Sequence, residues 1–244
     1  MNQIGVNINK NCGSTHTQRI SKYVVDNKLS MGISYDGDGD RCLAVDENGE
    51  LIDGDIILAI FTKYLKEQKK LKSDTLVATV MSNLGLNKFS KENNVDFKQT
   101  KVGDRYVLEE MIKNGYNLGG EQSGHVILLD YNPTGDGILT SILLILILLE
   151  SGKNLSELKK CIKIYPQVLV NARVNNEKKA TYKEDKEINE AISKLEEEFR
   201  DNGRVLVRAS GTENLIRVMI EGEDIEYLQK KANELAKIIE DKLN

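Results

Sequence analysis

Between Leu51 and Tyr165 the apolar residues switch repeatedly between helical and strand spacing, and few folds accept that order. Helices are expected behind Asp53 and Asp55, both placed to cap, as far as about Lys66, then over Leu84–Glu92 and Asp104–Asn114. A further apolar helix is expected from Gly135. Between them TLVATV (Thr75–Val80) and DFKQT (Asp96–Thr100) read as strands, and NLGGEQSGHVILLD (Asn117–Asp130) as two strands around a polar loop. Helices interleaved with strands predict a complete α/β domain with a mixed sheet over residues 51–165.

The flanks are different. Residues 1–50 offer one helix near Thr17–Asn27, strands near Gly32–Tyr35 and Cys42–Asp46, and a turn at Glu47–Gly49. That is too little to cover both faces of a sheet. This stretch is therefore expected to be the C-terminal remnant of a preceding α/β domain, with unpaired strand edges that favour self-association. Pro166 opens a third part, residues 166–244. There Gln167–Val174 alternates as a strand, and Ile188, Ile192, Leu195 and Phe199 recur at helical spacing. Val205–Arg208 and Leu215–Ile220 follow as a strand pair, and Ile225, Leu228, Ala232, Leu235 and Ile239 form one helical face. The result is a small β-α-β-β-α domain.

Composition excludes several function classes. A chain of 244 residues with net charge -4 and no long Lys/Arg run is not built for nucleic acid. Cys12, Cys42 and Cys161 are dispersed without metal spacing, which reads as reduced thiols in a cytoplasmic protein. The opening MNQIGVNINKNCGS has no export pattern. The longest apolar run, Ile138 to Leu149, falls well short of the roughly twenty residues that a membrane span needs, so it is expected to be a buried core helix.

Chemistry concentrates in three loops. YDGDGDR (Tyr35–Arg41) sets Asp36, Asp38 and Asp40 at alternate positions, with glycines that let the backbone curl. Three converging carboxylates suit a hard cation, Mg²⁺ or Ca²⁺. Asp36, Asp38, Asp40 and Glu47 match positions of a calcium-binding EF-hand loop, but Arg41 stands where that loop needs glycine and the flanks read as strands. Mg²⁺ completed by a phosphate oxygen is favoured, and a solvated acidic turn is the alternative. In RASGTENLIR (Arg208–Arg217) two arginines bracket a Ser-Gly-Thr turn, which suits a phosphate dianion or is a plain hairpin loop. In GEQSGH (Gly120–His125) the polar groups on a glycine-flanked turn suit sugar hydroxyls, while His125 is structural or catalytic. Asp104 in KVGDR (Lys101–Arg105) can simply cap the next helix.

Together these pieces resemble the α-D-phosphohexomutase family. In family order they are NIN and CGSTH (Asn7–Asn9, Cys12–His16), DGDGDR, IDGD (Ile52–Asp55) and VMSNLG (Val80–Gly85). KVGDRYV (Lys101–Val107), NLGGEQSGH (Asn117–His125), TGDG (Thr134–Gly137) and VRASGTENLIRV (Val207–Val218) complete the series. KVGDRYV and GEQSGH point to the phosphoglucosamine mutase branch over the phosphoglucomutase/phosphomannomutase branch.

The resemblance implies interconversion of glucosamine 6-phosphate and glucosamine 1-phosphate through a phosphoserine and a bisphosphorylated sugar. It implies Mg²⁺ on Asp36, Asp38 and Asp40, sugar hydroxyls on Glu121 and Ser123, and a non-reacting phosphate on Arg208, Ser210, Gly211, Thr212 and Arg217. Arg41 and His125 are candidate catalytic groups. Two departures stand in the phosphate loop, where Ala209 and Asn214 replace the usual prolines. A larger one is the family's serine loop, since no Ser-His-Asn run occurs in these residues. The chain alone is thus expected to be inactive, either the C-terminal part of an enzyme whose other half carries the serine, or a non-catalytic sugar-phosphate-binding module.

Overall fold

The computed structural model describes residues 8, 10–14, 16–211 and 213–244. Asn7, Asn9, Thr15 and the candidate phosphate ligand Thr212 lie outside the described residues. The chain divides into two compact units, Met1–Lys163 and Ile164–Asn244.

The first unit starts with helix α1 (Gln18–Asp26) and an antiparallel sheet of β1 (Met31–Tyr35), β2 (Cys42–Asp46) and β3 (Leu51–Ile52), in the order β1-β2-β3. Then come α2 (Gly54–Glu67), β4 (Thr75–Thr79), α3 (Leu84–Glu92), β5 (Asp96–Thr100) and α4 (Asp104–Asn114). The unit ends with β6 (Leu118–Gly120), β7 (Val126–Leu128), α5 (Gly137–Ser151) and the short α6 (Leu155–Leu158). The second sheet has the order β5-β4-β6-β7, with β4 parallel to β5 and β6, and β7 antiparallel to β6. The expected mixed α/β sheet is thus present. Its buried strands β4 and β6 carry Leu76 and Leu118, which meet Ile57, Phe61, Leu86 and Leu144 from the surrounding helices in one core. Each such side chain contributes about 1.5–3 kcal/mol by leaving water.

Three caps refine the sequence reading. Asp53 alone caps α2, accepting from the Ile56 amide at 3.0 Å, whereas Asp55 is inside the first turn, fully buried, and accepts from the Asn83 amide at 2.7 Å. Asp104 is not a cap, because Gly103 holds that position and Asp104 is the first helical residue. The apolar helix begins at Gly137, two residues late, because Asp136 caps it through the Leu139 amide.

The core-helix expectation for Ile138–Leu149 also needs correction. Thr140, Ser141, Leu144 and Ile147 of α5 are buried, but Ile138, Ile142 and Leu149 are 61%, 58% and 75% exposed. Uniform apolarity carries no phase, so it could not tell a buried helix from one with a bare apolar face. Among the described residues no single helix is long and apolar enough to cross a membrane.

The second unit contains β8 (Gln167–Arg173), α7 (Lys186–Phe199), β9 (Arg204–Ala209), β10 (Leu215–Glu221) and α8 (Ile225–Leu243). Its sheet is antiparallel in the order β8-β10-β9, so the central strand is the last one in sequence. Ile188 and Leu195 of α7 and Leu228, Ala232, Leu235 and Ile239 of α8 pack on it through the apolar stripes read from spacing, whereas Ile225, read into the same face, is exposed in the first turn of α8.

Candidate functional site

The acidic loop YDGDGDR is the connection between β1 and β2. Tyr35 pairs with Cys42 across that hairpin, so residues 36–41 must reverse the chain. Gly39 does so at φ +79°, a left-handed value that favours glycine. The reversal brings one oxygen each of Asp36, Asp38 and Asp40 within 4.8 Å of one another. Arg41 balances part of the charge, with its amide 3.2 Å and its Nε 3.8 Å from the Asp36 carboxylate.

Electrostatics show the strain of this cluster. Burial pushes the Asp40 carboxyl up, and a hydrogen bond shared with Asp36 and the charges of Asp36 and Asp38 add to it. Burial opposes ionisation of Asp36 too, but the Asp40 hydrogen bond, the Arg41 amide and the Arg41 guanidinium outweigh it and hold Asp36 below its ordinary value. A cation between them would favour the ionised form of both groups. Asp40 Oδ1 is buried without a hydrogen-bond partner, and the donor set is all oxygen. The three residues therefore fit a hard divalent cation.

Backbone contacts join this loop to the GEQSGH loop. The Cys42 amide donates to the Gly124 carbonyl at 3.0 Å, and Arg41 and His125 form an antiparallel bridge. The Gly137 amide donates to the Gly39 carbonyl at 2.9 Å, which ties the loop to the start of α5 as well. His125, 2% exposed, thereby lies between two carboxylates, with Nε2 3.6 Å from Asp40 and 3.8 Å from Asp104. Gly135 packs against the imidazole so closely that a Cβ there would enter the ring.

Glu121 and Ser123 sit on the turn ahead of His125, closed by the Gly124 amide donating to the Glu121 carbonyl at 3.0 Å. Ser123 is exposed. One oxygen of Glu121 accepts from the Gly103 amide at 3.1 Å, which fastens the GEQSGH loop to the KVGDR loop. The base of the turn rests on α2, where the Gly54 amide donates to the Gln122 carbonyl at 3.0 Å. Any Cβ on Gly54 would collide with the Glu121 carbonyl, so the IDGD glycine sets the height of the loop. Asp104, which sequence reasoning offered as a helix cap, and Gly54, which it named only within the IDGD motif, are the members of this cluster to which it assigned no role there. The signal was there in motif form, but spacing alone gives no direction to a side chain.

In the second unit Arg208 and Arg217 are directly opposed across β9 and β10. Burial and then the Arg217 charge lower the Arg208 guanidinium below its ordinary value. Arg217 meets the Glu213 carboxylate at 2.9 Å, yet its Nε is buried without a hydrogen-bond partner. Ser210 is 4% exposed, and its hydroxyl accepts from the Glu213 amide at 3.2 Å. Gly211 is exposed with open space where a Cβ would stand. The arrangement is two cations and a hydroxyl on one hairpin end, a pattern that suits a dianion.

Residues 53–165 match the family model for the phosphoglucomutase/phosphomannomutase alpha/beta/alpha domain III, and residues 169–238 match the model for the C-terminal domain of the same proteins. The chain belongs to the phosphoglucomutase/phosphomannomutase family. Its curated relatives include the phosphoglucosamine mutase of Caldicellulosiruptor saccharolyticus, 59% identical over 98% of this chain and 54% of the relative. The phosphoglucosamine mutase of Clostridium novyi is 58% identical with the same coverage. The chain thus spans about half the length of the curated relatives it matches. Among solved structures, Aspergillus fumigatus N-acetylphosphoglucosamine mutase shares the fold at TM-score 0.78 and 20% identity, over 96% of this chain and 53% of that one. A second structure of that enzyme, in complex with GlcNAc-6P and magnesium, aligns at TM-score 0.75 and 19% identity, over the same shares of the two chains.

Proposed function

We propose that this chain supplies the metal, sugar and phosphate loops of a phosphoglucosamine mutase that interconverts glucosamine 6-phosphate and glucosamine 1-phosphate. The phosphoserine of the reaction comes from sequence outside these 244 residues, on the remainder of the polypeptide or on a separate N-terminal half. The observation that carries the reading is the gathering of Asp36, Asp38, Asp40, Arg41, His125 and Glu121 by the backbone contacts between two loops. The identity to phosphoglucosamine mutases over nearly the whole chain supports the choice of sugar.

Phosphoryl transfer needs little covalent help from the protein and depends on positioning and charge neutralisation. Asp36, Asp38 and Asp40 hold Mg²⁺, which when bound offsets the charge of the transferring phosphoryl group. Arg41 steadies Asp36 from the rear, and with His125 it borders the reacting end of the sugar phosphate. Glu121, through the oxygen not engaged by Gly103, and Ser123 accept and donate to sugar hydroxyls. Arg208, Ser210, Gly211, Thr212 and Arg217 hold the phosphate that is not reacting. The serine's phosphoryl passes to the free sugar hydroxyl, and after the bisphosphorylated sugar turns round, its other phosphoryl returns to the serine.

The test mixes this chain with a separately made N-terminal half and follows glucosamine 1-phosphate formation. Turnover is expected only in the mixture. Turnover by the lone chain contradicts the proposed division of the site. Silence of a mixture that forms a stable complex and binds glucosamine 6-phosphate favours a non-catalytic binding module.

A further inference from the structure

The end of the β9–β10 hairpin is the part of the phosphate loop least supported by its own sheet. The strand register stops at Ile216 opposite Ala209, so residues 210–214 lie beyond the ladder. Across the mouth of the loop the Ser210 amide donates to the Leu215 carbonyl at 2.9 Å. Past that point, two of the charged or polar groups assigned to the anion depend on Glu213. Its amide donates to the Ser210 hydroxyl at 3.2 Å, and its carboxylate accepts from Arg217 Nη2 at 2.9 Å. Ser210 and Arg217 can therefore be no better placed than Glu213 is.

Glu213 is itself held from outside the hairpin. Its carbonyl accepts from Lys179 Nζ at 3.0 Å, and the next carbonyl, that of Asn214, accepts from the Val174 amide at 3.1 Å. Lys179 opens a short 3₁₀ turn, Lys179–Lys183, and is half-buried. The turn is pinned by Tyr182, whose ring is buried and whose hydroxyl donates to the Val207 carbonyl at 3.3 Å. Val207 precedes Arg208 on β9. The ammonium thus reaches the tip of the loop from a base fixed on the strand that carries the other arginine. Neither Ala209 nor Asn214 restricts the loop as a ring-closed residue would.

We infer that Lys179 is a positioning residue of the phosphate loop, acting through the Glu213 carbonyl to hold Ser210 and Arg217 in place. The inference rests on the proposed role of that loop as the phosphate clamp. The role requires no contact between Lys179 and the anion.

The experiment titrates inorganic phosphate into the full chain and into Lys179→Met, Lys179→Arg and Arg208→Met, following loop amides by NMR. Lys179→Met is expected to weaken phosphate by about five- to tenfold, the scale of one ordinary lost hydrogen bond, with Lys179→Arg close to the unsubstituted chain. The Glu213 amide should exchange faster in Lys179→Met while amides of the α8 core do not. A tether differs from a nearby charge in its response to salt. The loss should persist in about 1 M NaCl, where the Debye length is about 3 Å. Unchanged affinity in Lys179→Met, or a loss that vanishes in salt, overturns the role of Lys179 and leaves the clamp intact. No phosphate binding by the unsubstituted chain, with Arg208→Met indistinguishable from it, overturns the clamp and the tether together.

Discussion

Arg208 and Arg217 face each other across neighbouring strands, a like-charge pair where a sheet ordinarily places neutral or opposite partners. Among the described residues only one of them has its charge answered by a carboxylate, Arg217 by Glu213. The pair has a cost without an anion and a use with one. Arg208→Met should therefore raise the stability of the ligand-free chain by about 0.2–1 kcal/mol, the usual size of a cross-strand term. The same substitution should abolish the stabilisation that phosphate gives the parent chain. Urea titration with and without phosphate checks both signs. A variant that is less stable alone, yet still stabilised by phosphate, rules out an anion-directed pair.

The acidic loop carries a parallel prediction. With one oxygen of each of three carboxylates inside 4.8 Å, and with burial and the neighbouring charges pushing Asp40 up, a divalent cation should relieve repulsion and stabilise the first unit. At about a hundredfold excess over its dissociation constant, Mg²⁺ should contribute about 2.7 kcal/mol. Asp38→Asn should melt higher than the parent without metal and gain little on adding it. Asp40→Asn should lose the gain as well. Thermal melts with Mg²⁺ and with chelator decide this, and an equal Mg²⁺ shift in all three chains would remove the site.

Much of this was legible in sequence because local rules and tertiary packing agree. Leu84–Glu92, Asp96–Thr100 and Asp104–Asn114 occupy the spans expected from periodicity alone. The chemistry-bearing loops were legible as motifs, since glycine and carboxylate spacing is local. Their assembly was not. Nothing in the spacing says that Cys42 donates to Gly124, or that Gly54 supports Glu121, because these contacts join residues about 70–80 apart through the packing of a sheet and a helix. Lys179 was invisible for the same reason: its partner is a backbone carbonyl 34 residues away. The exposed side of α5 was missed because a run of Ile and Leu has no phase to read.

The cap of α5 has a pH dependence whose sign follows from its environment. The Leu139 amide holds the Asp136 carboxyl below its ordinary value, against some burial, with Asn132 adding a second hydrogen bond. A carboxylate depressed in the folded state contributes fully above its unfolded value of about 3.9 and loses that contribution as pH falls through the folded value. Asp136→Ala should cost about 1 kcal/mol at neutral pH. The gap between the two chains should stay constant down to about pH 5 and close below it. Because Asp136 precedes the Gly137 amide that holds Gly39, the variant should also weaken Mg²⁺ binding modestly. A gap that widens in acid rules out the ionised cap.

The bare side of α5 and the edge of β1 make the last prediction. Ile138, Ile142, Ile145, Leu146 and Leu149 recur along one side of the helix, and each is more than a third exposed. Tyr35 at the end of β1 donates its hydroxyl to Ser141 of α5 at 2.7 Å, so the helix and the strand edge border each other within the first unit. β1 pairs only with β2 among the described strands, which leaves its other edge open to a further strand. Apolar area beside an open strand edge favours association with another chain, either a second copy or a domain that completes the sheet. The lone chain should therefore self-associate as concentration rises. Ile142→Lys with Leu149→Lys should reverse this with little loss of stability, because both side chains are already more than half exposed. Sedimentation velocity over a wide concentration range reads the outcome. A monomer at every concentration, or undiminished association in the double variant, moves the contact away from α5.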